Sequence, residues 1–464
     1  MKLGLVSLGC DKNTVDSERM LSVLTDQGAV HTPDLSEAEV ILVNTCGFID
    51  AAKEESIETL LQMGHLKDAG RCRAVVAVGC LVEQYRDELE PALPEVDLFV
   101  GLRDMERLVP ELERLGLLDP DRTPHPGERV PLTDRRHVRY LKISEGCDHG
   151  CAFCAIPLWR GKHRSFEADR LVAEAQRLEA QGAVELNLVA QDLAHYGRDL
   201  RDGTDIGSLL RRLLDETGIP WFRLLYIYSA GLREPLVDLI ATERRVVPYL
   251  DMPIQHASDA VLERMRRPER QDRLREKIAR LRSSIPDLTL RTTVMVGFPG
   301  ETEDDFRDLL NFVEDVEFDR LGAFSFSPQD GTRAMGMEGE FLPDGVGTER
   351  LEELLEVQRA ISADRLQASI GRHVEALVDE EGETPVARTW GQADDVDGVT
   401  ILEGTAGLAA GTIVEAEIVD ADDYDLTGIV HRIIRATGKP AGAGAGQRRA
   451  LPVLPLGLEA VWGR

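Results

Sequence analysis

Seven cysteines carry the first chemical information in this chain of 464 residues. Cys147, Cys151 and Cys154 form a C-x3-C-x2-C run within GCDHGCAFC. Three thiolates on so short a loop can hold three irons of a four-iron, four-sulfur cubane, which leaves the fourth iron open to a small-molecule ligand. Structural zinc takes four ligands, commonly in two pairs, and this spacing does not provide them. His149 lies inside the first gap and reads as a solvated loop residue, not as a further ligand.

Three more thiols are dispersed but share a context. Cys10, Cys46 and Cys80 each close an apolar run: LVSLGC, ILVNTC and VVAVGC. If these runs are parallel strands of one sheet, their carboxyl ends face a single crevice, the place where open α/β sheets bind ligands. The three thiols are then expected to converge and hold a second cluster, again with one open iron. The competing reading is three buried small apolar residues, a common fate of free cysteine. Cys72 precedes a strand instead of ending one and is read as a spare thiol.

The elements that must position these groups follow from hydrophobic pattern. Up to about residue 128, near-continuous apolar runs alternate with amphipathic ones such as DSERMLSVLTDQG and AAKEESIETLLQMG. That pattern describes a doubly wound parallel α/β domain with helices on both faces. A Pro-containing stretch from Asp119 to Arg136 reads as a linker. From 129 to 366 six strand candidates alternate with helices: HVRYLKISEG, VELNLVAQD, FRLLYIY, YLDMPIQ, LTLRTTVMVGFP and RLGAFSFSP. Six such units suggest a partial TIM-like (β/α)6 barrel that stops short of eight strands. From 367 to 434 short strands with close turns suggest a small all-β barrel. The Gly/Ala/Pro-rich tail from 435 to 464 reads as disordered.

Composition narrows the class. Hydrophobic residues make up 43% and charged residues 30%, as expected of a soluble globular protein. No run reaches the roughly 18 apolar residues of a membrane span. The N-terminal MKLGLVSLGC is too short in its apolar part for a signal peptide, so the expected location is the cytoplasm. Lys and Arg against Asp and Glu give 54 − 83 = −29, which offers little general attraction to nucleic acid or anionic lipid.

The cysteine loop, the six-unit barrel and GFPGE after the fifth barrel strand resemble radical S-adenosylmethionine (SAM) enzymes. With both flanking domains, residues 1 to 434 resemble the methylthiotransferases, which join an iron–sulfur domain, a radical-SAM barrel and a TRAM β-barrel. The motifs SLGCDKNTVDSE, VNTCGFIDAAKEES, ISEGCDHGCAFCAIP, RTTVMVGFPGET and FSFSPQDGTRA are similar to the branch that modifies an aspartate of small-subunit ribosomal protein twelve. The branch that modifies tRNA adenosine more typically has YGCQMN, NTCSVR and a basic R-P-G-T where Asp330 stands here. Two positions depart from the usual pattern: Asp11 in place of a frequent Pro, and Phe166 where an Arg is common.

The resemblance implies two 4Fe-4S clusters, on Cys10, Cys46 and Cys80 and on Cys147, Cys151 and Cys154, with SAM as radical source and methyl donor. It implies an electron supply such as flavodoxin or ferredoxin, and no direct RNA substrate. Barrel enzymes place their working residues at the carboxyl ends of strands, which selects Gln191, Asp192, Gln255, Gly297 and Phe298 as SAM contacts; Tyr228, His256 and Arg291 are further candidates nearby. Hydrogen abstraction by a radical needs no general base, in keeping with the lack of a Ser-His-Asp or paired-carboxylate arrangement. From 371 to 430 fifteen acids face two arginines, a net of 2 − 15 = −13, which suits a basic protein substrate better than RNA. The basic run ERMRRPERQDRLREKIARLR reads as a solvated helix face. The competing functions are a tRNA methylthiotransferase with the same clusters and a non-catalytic iron–sulfur electron carrier.

Overall fold

The computed structural model describes residues 1–437 apart from 69, 120–128, 133 and 134. Most of the expected linker, and the expected tail beyond 437, lie outside the described residues.

The N-terminal sheet has five parallel strands, β1 (Lys2–Ser7), β2 (Val30–His31), β3 (Val40–Thr45), β4 (Ala74–Gly79) and β5 (Leu98–Gly101), in the order β2-β1-β3-β4-β5. Successive strand side chains point to opposite faces, so the apolar runs feed two cores. Leu3, Leu5, Leu42 and Val76 pack with Leu21 and Leu24 of helix α1 (Asp11–Asp26). Ile41, Val43, Val75 and Ala77 pack on the other face, with Leu60 of α2 (Asp50–Asp68) and Leu81 of α3 (Cys80–Ala92). The domain is doubly wound, as the alternation predicts. Two of its strands, the short β2 and β5, were not legible as separate runs. The chain leaves β1 in one direction and returns past it to β3, so the carboxyl ends of β1 and β3 border the topological switch point.

Six further parallel strands lie in chain order: β6 (Val138–Lys142), β9 (Glu185–Val189), β10 (Trp221–Leu224), β11 (Val246–Asp251), β12 (Thr289–Val296) and β13 (Arg320–Ser325). This is an open barrel of the expected kind, with Leu141, Leu186, Leu188, Leu224 and Leu290 facing the surrounding helices. The first run is not one strand. It breaks after Lys142 into β6 and β7 (Ser144–Glu145), and β7 pairs antiparallel with β8 (Arg164–Ser165). The cysteine loop is thereby clamped at both ends.

The third region, β14 (His373–Glu380) to β18 (Leu426–Arg435), closes into a five-stranded barrel. It seals the base of the six-stranded barrel through a buried ion network. Arg388 reaches Glu185 and Asp379 (2.7 Å each), and Arg223 reaches Glu185 (2.7 Å). His137 binds Asp379 (2.9 Å) and Tyr249 donates to Asp397 (2.7 Å). Part of the acidity read as a surface for a basic partner is therefore internal: Asp379, Asp394 and Asp397 hold two domains together. Glu380, Glu381, Glu383, Glu403, Asp420 and Asp422 do face outwards.

α1 packs into the barrel mouth and reaches its interior, where Val15 shares a cluster with Val138, Val189, Leu225 and Tyr249, strand residues turned away from the helices, and with Leu377, Ala393 and Ile413 of the closed barrel. Glu18 pairs with Arg129 (2.6 Å) and Arg139 (3.1 Å), and the Lys12 ammonium lies 3.2 Å from the centre of the Tyr226 ring. Among the described residues no helix is long and apolar enough to cross a membrane.

Candidate active site

The dispersed thiols stand at helix starts as well as strand ends. Cys10 is the N-cap of α1, and Cys80 opens α3 after Gly79. Both helices begin earlier than the apolar periodicity indicates, because that periodicity shows only where a helix is covered. The N-terminal end of a helix favours negative charge, so each position suits a thiolate. Glycines make the close approach possible. Gly9 has φ +90°, and a Cβ there would come 2.9 Å from Cys46 Sγ; Gly79 has φ +106°, and a Cβ there would come 2.4 Å from Thr45 O. Cys10 is exposed while Cys46 and Cys80 are buried. Burial pushes the thiols of Cys46 and Cys80 upward, and each is raised further by other thiols of the set.

Cys147, Cys151 and Cys154 are half-buried on their loop, where the Cys147 amide donates to Gly161 O (3.1 Å) and the Cys154 amide to Cys151 O (3.3 Å). Burial raises Cys147 to about 11 and Cys154 to about 12. A metal would displace these protons, since only the thiolate ligates.

Each triad carries one buried arginine. Arg160 ends helix α5 (Ile156–Arg160), which starts two residues beyond Cys154. Its guanidinium lies 3.6 Å from Cys80 Sγ and donates to Asn13 Oδ1 (2.6 Å), Asp16 (3.0 Å) and Glu145 (2.9 Å). Burial alone would lower its pKa, but Cys80, Glu145 and Asp16 hold it well above its ordinary value. One side chain thus ties the loop of the first triad to the strand ends of the second. Arg267 plays the matching part on the other side, 3.9 Å from Cys151 Sγ and 4.0 Å from the centre of the Tyr228 ring. Arg267 is buried, which corrects the reading of its basic run as a solvated face; Arg264 and Arg266 are exposed. Neither Arg160, Asn13 nor Arg267 was selected from sequence, because a lone polar residue in a helix or turn carries no spacing signal.

His149 is also corrected. It is half-buried and held in place, stacked on Tyr228 (4.1 Å) and His195 (4.3 Å), with Nε2 2.8 Å from Asp192. Burial would raise Asp192, but hydrogen bonds from His149 and the Tyr228 amide outweigh it and hold the carboxyl below its usual range. Burial lowers His195 to about 4, so it is neutral at pH 7. Asp192 is therefore committed to protein partners. Gln191 is different: its Oε1 is buried without a hydrogen-bond partner, while its Nε2 reaches Glu145 (3.4 Å). Asn187, within β9, has both amide atoms in that condition. It was legible only as a polar residue interrupting VELNLVAQD.

Gln255 and Tyr226 have φ of +71° and +64°, unusual for side-chain-bearing residues and a mark of constraint at strand ends. Gly297 makes its turn at φ +73°, and Phe298 is fully buried in a cluster with Ala152 of the cysteine loop and Met265. His256 is buried, 3.6 Å from Glu301, and Arg291 pairs with Asp251 (2.9 Å). Phe166 is buried with the guanidinium groups of Arg19, Arg164 and Arg170 within 5.0 to 5.3 Å of its ring centre, so an aromatic takes up cations where an Arg is common. Asp330 accepts from Tyr85 (2.8 Å), which makes it a tether to the N-terminal domain.

Residues 2–101 match the uncharacterized protein family UPF0004, residues 141–313 the radical SAM superfamily and residues 370–430 the TRAM domain. The ribosomal protein uS12 methylthiotransferase RimO of Anaeromyxobacter sp. strain K is 47% identical over 98% of this chain and 98% of its own. RimO of Desulforudis audaxviator is 45% identical over 92% and 96%, and that of Aquifex aeolicus 42% over 92% and 97%. The chain belongs to the RimO family. Among solved structures, the radical SAM methyltransferase TsrM from Kitasatospora setae with tryptophan and a SAM analog bound superposes with a TM-score of 0.52 at 14% identity, over 69% of this chain and 72% of that one. The same enzyme with cobalamin and a [4Fe-4S] cluster gives 0.50 at 15% identity, over 70% and 76%. At such identities the likeness is one of fold. RimO membership agrees with the order of the three regions: a doubly wound sheet, an open barrel, a closed barrel.

Proposed function

We propose that this chain replaces a hydrogen on the β-carbon of an aspartate in ribosomal protein uS12 with a methylthio group. The observation that carries this reading is the tie, through Arg160, between a local thiol triad and a dispersed one at the mouth of an open barrel. Cys147, Cys151 and Cys154 would hold one 4Fe-4S cluster and Cys10, Cys46 and Cys80 the other. The donor sets fit: each is three thiols, one short of saturating a cubane, with a buried cation to offset thiolate charge. When bound, the clusters and SAM supply one-electron cleavage to a 5′-deoxyadenosyl radical, a methyl group, and sulfur at an open iron.

The chain's own residues then bind, orient and exclude. Gln191, whose Oε1 is a buried acceptor in need of a donor, and Gln255 would contact SAM. Asp192 would act through His149, fixing the cysteine loop. Gly297 and Phe298 would shape the floor beneath it. Val15 and Tyr226 narrow the mouth and shut out water, which protects a radical from other hydrogen donors. The outward acids of the third barrel suit a basic protein and oppose RNA phosphate. Electrons would come from a carrier such as flavodoxin or ferredoxin, and the setting would be the cytoplasm.

The test is anaerobic reconstitution with iron, sulfide, SAM and dithionite, offering uS12 and unmodified tRNA in parallel. The expected result is uS12 heavier by one methylthio group in place of hydrogen, with tRNA unchanged. Modified tRNA with unchanged uS12 would overturn the reading.

A further inference from the structure

Three side chains that can bind a metal ion meet on the outside of the third barrel, a region without cysteine. His373 stands on β14, Glu417 on β17 (Ile413–Ala421) and His431 on β18, three neighbouring strands of the barrel wall. The register places His373 directly opposite Glu417. His431 Nε2 lies 3.0 Å from Glu417 Oε2, and the two imidazole rings are 4.7 Å apart between centres. One ligand atom from each of the three residues lies within 4.8 Å of the others. The other such group among the described residues, His149, Asp192 and His195, belongs to the site described above.

The strand that delivers His431 is irregular at that point. Glu415 pairs with Arg432 but Ala416 pairs with Val430, so β18 carries one extra residue there, and that residue is His431. Regular alternation would send His431 and Arg432 to opposite faces. A bulge re-aims a side chain, and both residues are exposed. Arg432 is engaged by Glu415 (2.6 Å), whereas Glu417 has no Lys or Arg partner among the described residues. Glu415 Oε1 in turn stands 3.8 Å from His373 Nδ1. A ligating imidazole is commonly supported through its other ring nitrogen by such a carboxylate.

We infer that His373, Glu417 and His431 bind a divalent transition-metal ion of the zinc class. Two imidazoles and one carboxylate form a known three-ligand zinc set, with water in the fourth position. Tetrahedral bonds of about 2.0–2.2 Å put ligand atoms roughly 3.4 Å apart. His431 and Glu417 are already near that spacing, and His373 closes on them by rotation of its side chain. The paired imidazoles select such an ion over magnesium or calcium, which prefer oxygen ligands. Once bound, the ion links β14 to β18 across β17 and pins the bulged stretch of β18. The site shares no residue with the two thiol triads, so it stands apart from the iron–sulfur reading.

The test uses the full chain loaded with iron and sulfide, so that the triads are occupied, and Zn2+ as probe. Bound zinc is measured by equilibrium dialysis, and amide exchange of β14 and β18 is followed with and without the ion. The expected result is saturable uptake of one zinc by wild type and by His65→Ala, which removes an exposed histidine of α2. That uptake is lost in His373→Ala and His431→Ala, and Glu415→Gln weakens it about tenfold or more. His373 and His431 are exposed, so both variants should keep the fold, which circular dichroism checks. Zinc should slow exchange in β14 and β18 of wild type only, and magnesium at the same concentration should not displace it. Absence of zinc uptake by wild type would overturn the inference. So would equal uptake by His431→Ala, which would assign the ion to His149, Asp192 and His195 or to thiols left without iron. Equal competition by magnesium would also overturn it, by making the face a plain acidic surface.

Discussion

Cys147, Cys151 and Cys154 sit on one loop clamped by the β7–β8 pair, whereas Cys10, Cys46 and Cys80 come from the ends of three strands. The first set needs only a short stretch of backbone to be in place. The second exists only when the five-stranded sheet is folded and when Gly9 and Gly79 let the strand ends close on Cys46. The local triad is correspondingly more open, and the dispersed one has two of its three thiols buried. The contrast teaches that one ligand chemistry can be built with different sensitivities: the loop to its own sequence, the strand ends to the fold around them.

The largest effects should separate the triads by role. Cys151→Ala is expected to abolish both 5′-deoxyadenosine formation and methylthiolation, and Cys46→Ala to abolish methylthiolation alone, with each variant losing roughly half of the bound iron. Product chromatography and iron analysis check this, and identical losses would erase the distinction. Arg160→Met should damage both triads at once. It removes one of the two cations that Asp16 and Glu145 share, Lys142 being the other, and should cost about 1–3 kcal/mol in chemical denaturation, with Arg160→Lys milder.

Gly79→Ala tests the sheet-dependent triad selectively. Its positive φ and the contact with Thr45 O predict a loss of about 1–3 kcal/mol and reduced iron in the N-terminal triad, with the loop triad still loaded. A perturbation at the far end of the barrel should spare both triads. Burial raises Asp379, but Arg388 and His137 outweigh it and hold it below its usual range. Its contribution is then complete above the ordinary carboxylate pKa near 4 and is lost as pH falls below that. Wild type should lose stability more steeply than Asp379→Asn between neutral and strongly acidic pH. Smallest of all, Cys72→Ala should change stability by about 1 kcal/mol or less and leave iron content unaltered, since Cys72 belongs to neither triad and its thiol makes a long hydrogen bond to Ala74 O (3.4 Å).

The architecture was largely legible because apolar strand runs such as ILVNTC and TLRTTVMV are long and bounded by turn residues. β2 and β5 were missed since two or four residues hold too little pattern. The grouping of the six thiols into two triads was read from spacing or shared context and their role as ligands is the proposal made above, while Arg160, Asn13 and Arg267 left no such signal: their partners are 80 to 147 positions away. His149 was misread for the same reason, as its partners Asp192, His195 and Tyr228 come from other strand ends. Net charge misled in part, because counting acids from 371 to 430 cannot tell those facing solvent from those, like Asp379, bound to the barrel above.

The central claim, that two triads in one chain serve methylthiolation of a ribosomal protein, is tested most directly by deleting the gene. Mass spectrometry then follows uS12 and the methylthio nucleosides of tRNA in one extract. Complementation uses wild type, Cys46→Ala or Cys151→Ala. The account predicts uS12 lighter by one methylthio group in the deletion, restored by wild type and by neither variant, with tRNA unchanged throughout. Unmodified tRNA together with intact uS12, or restoration by either variant, would contradict it.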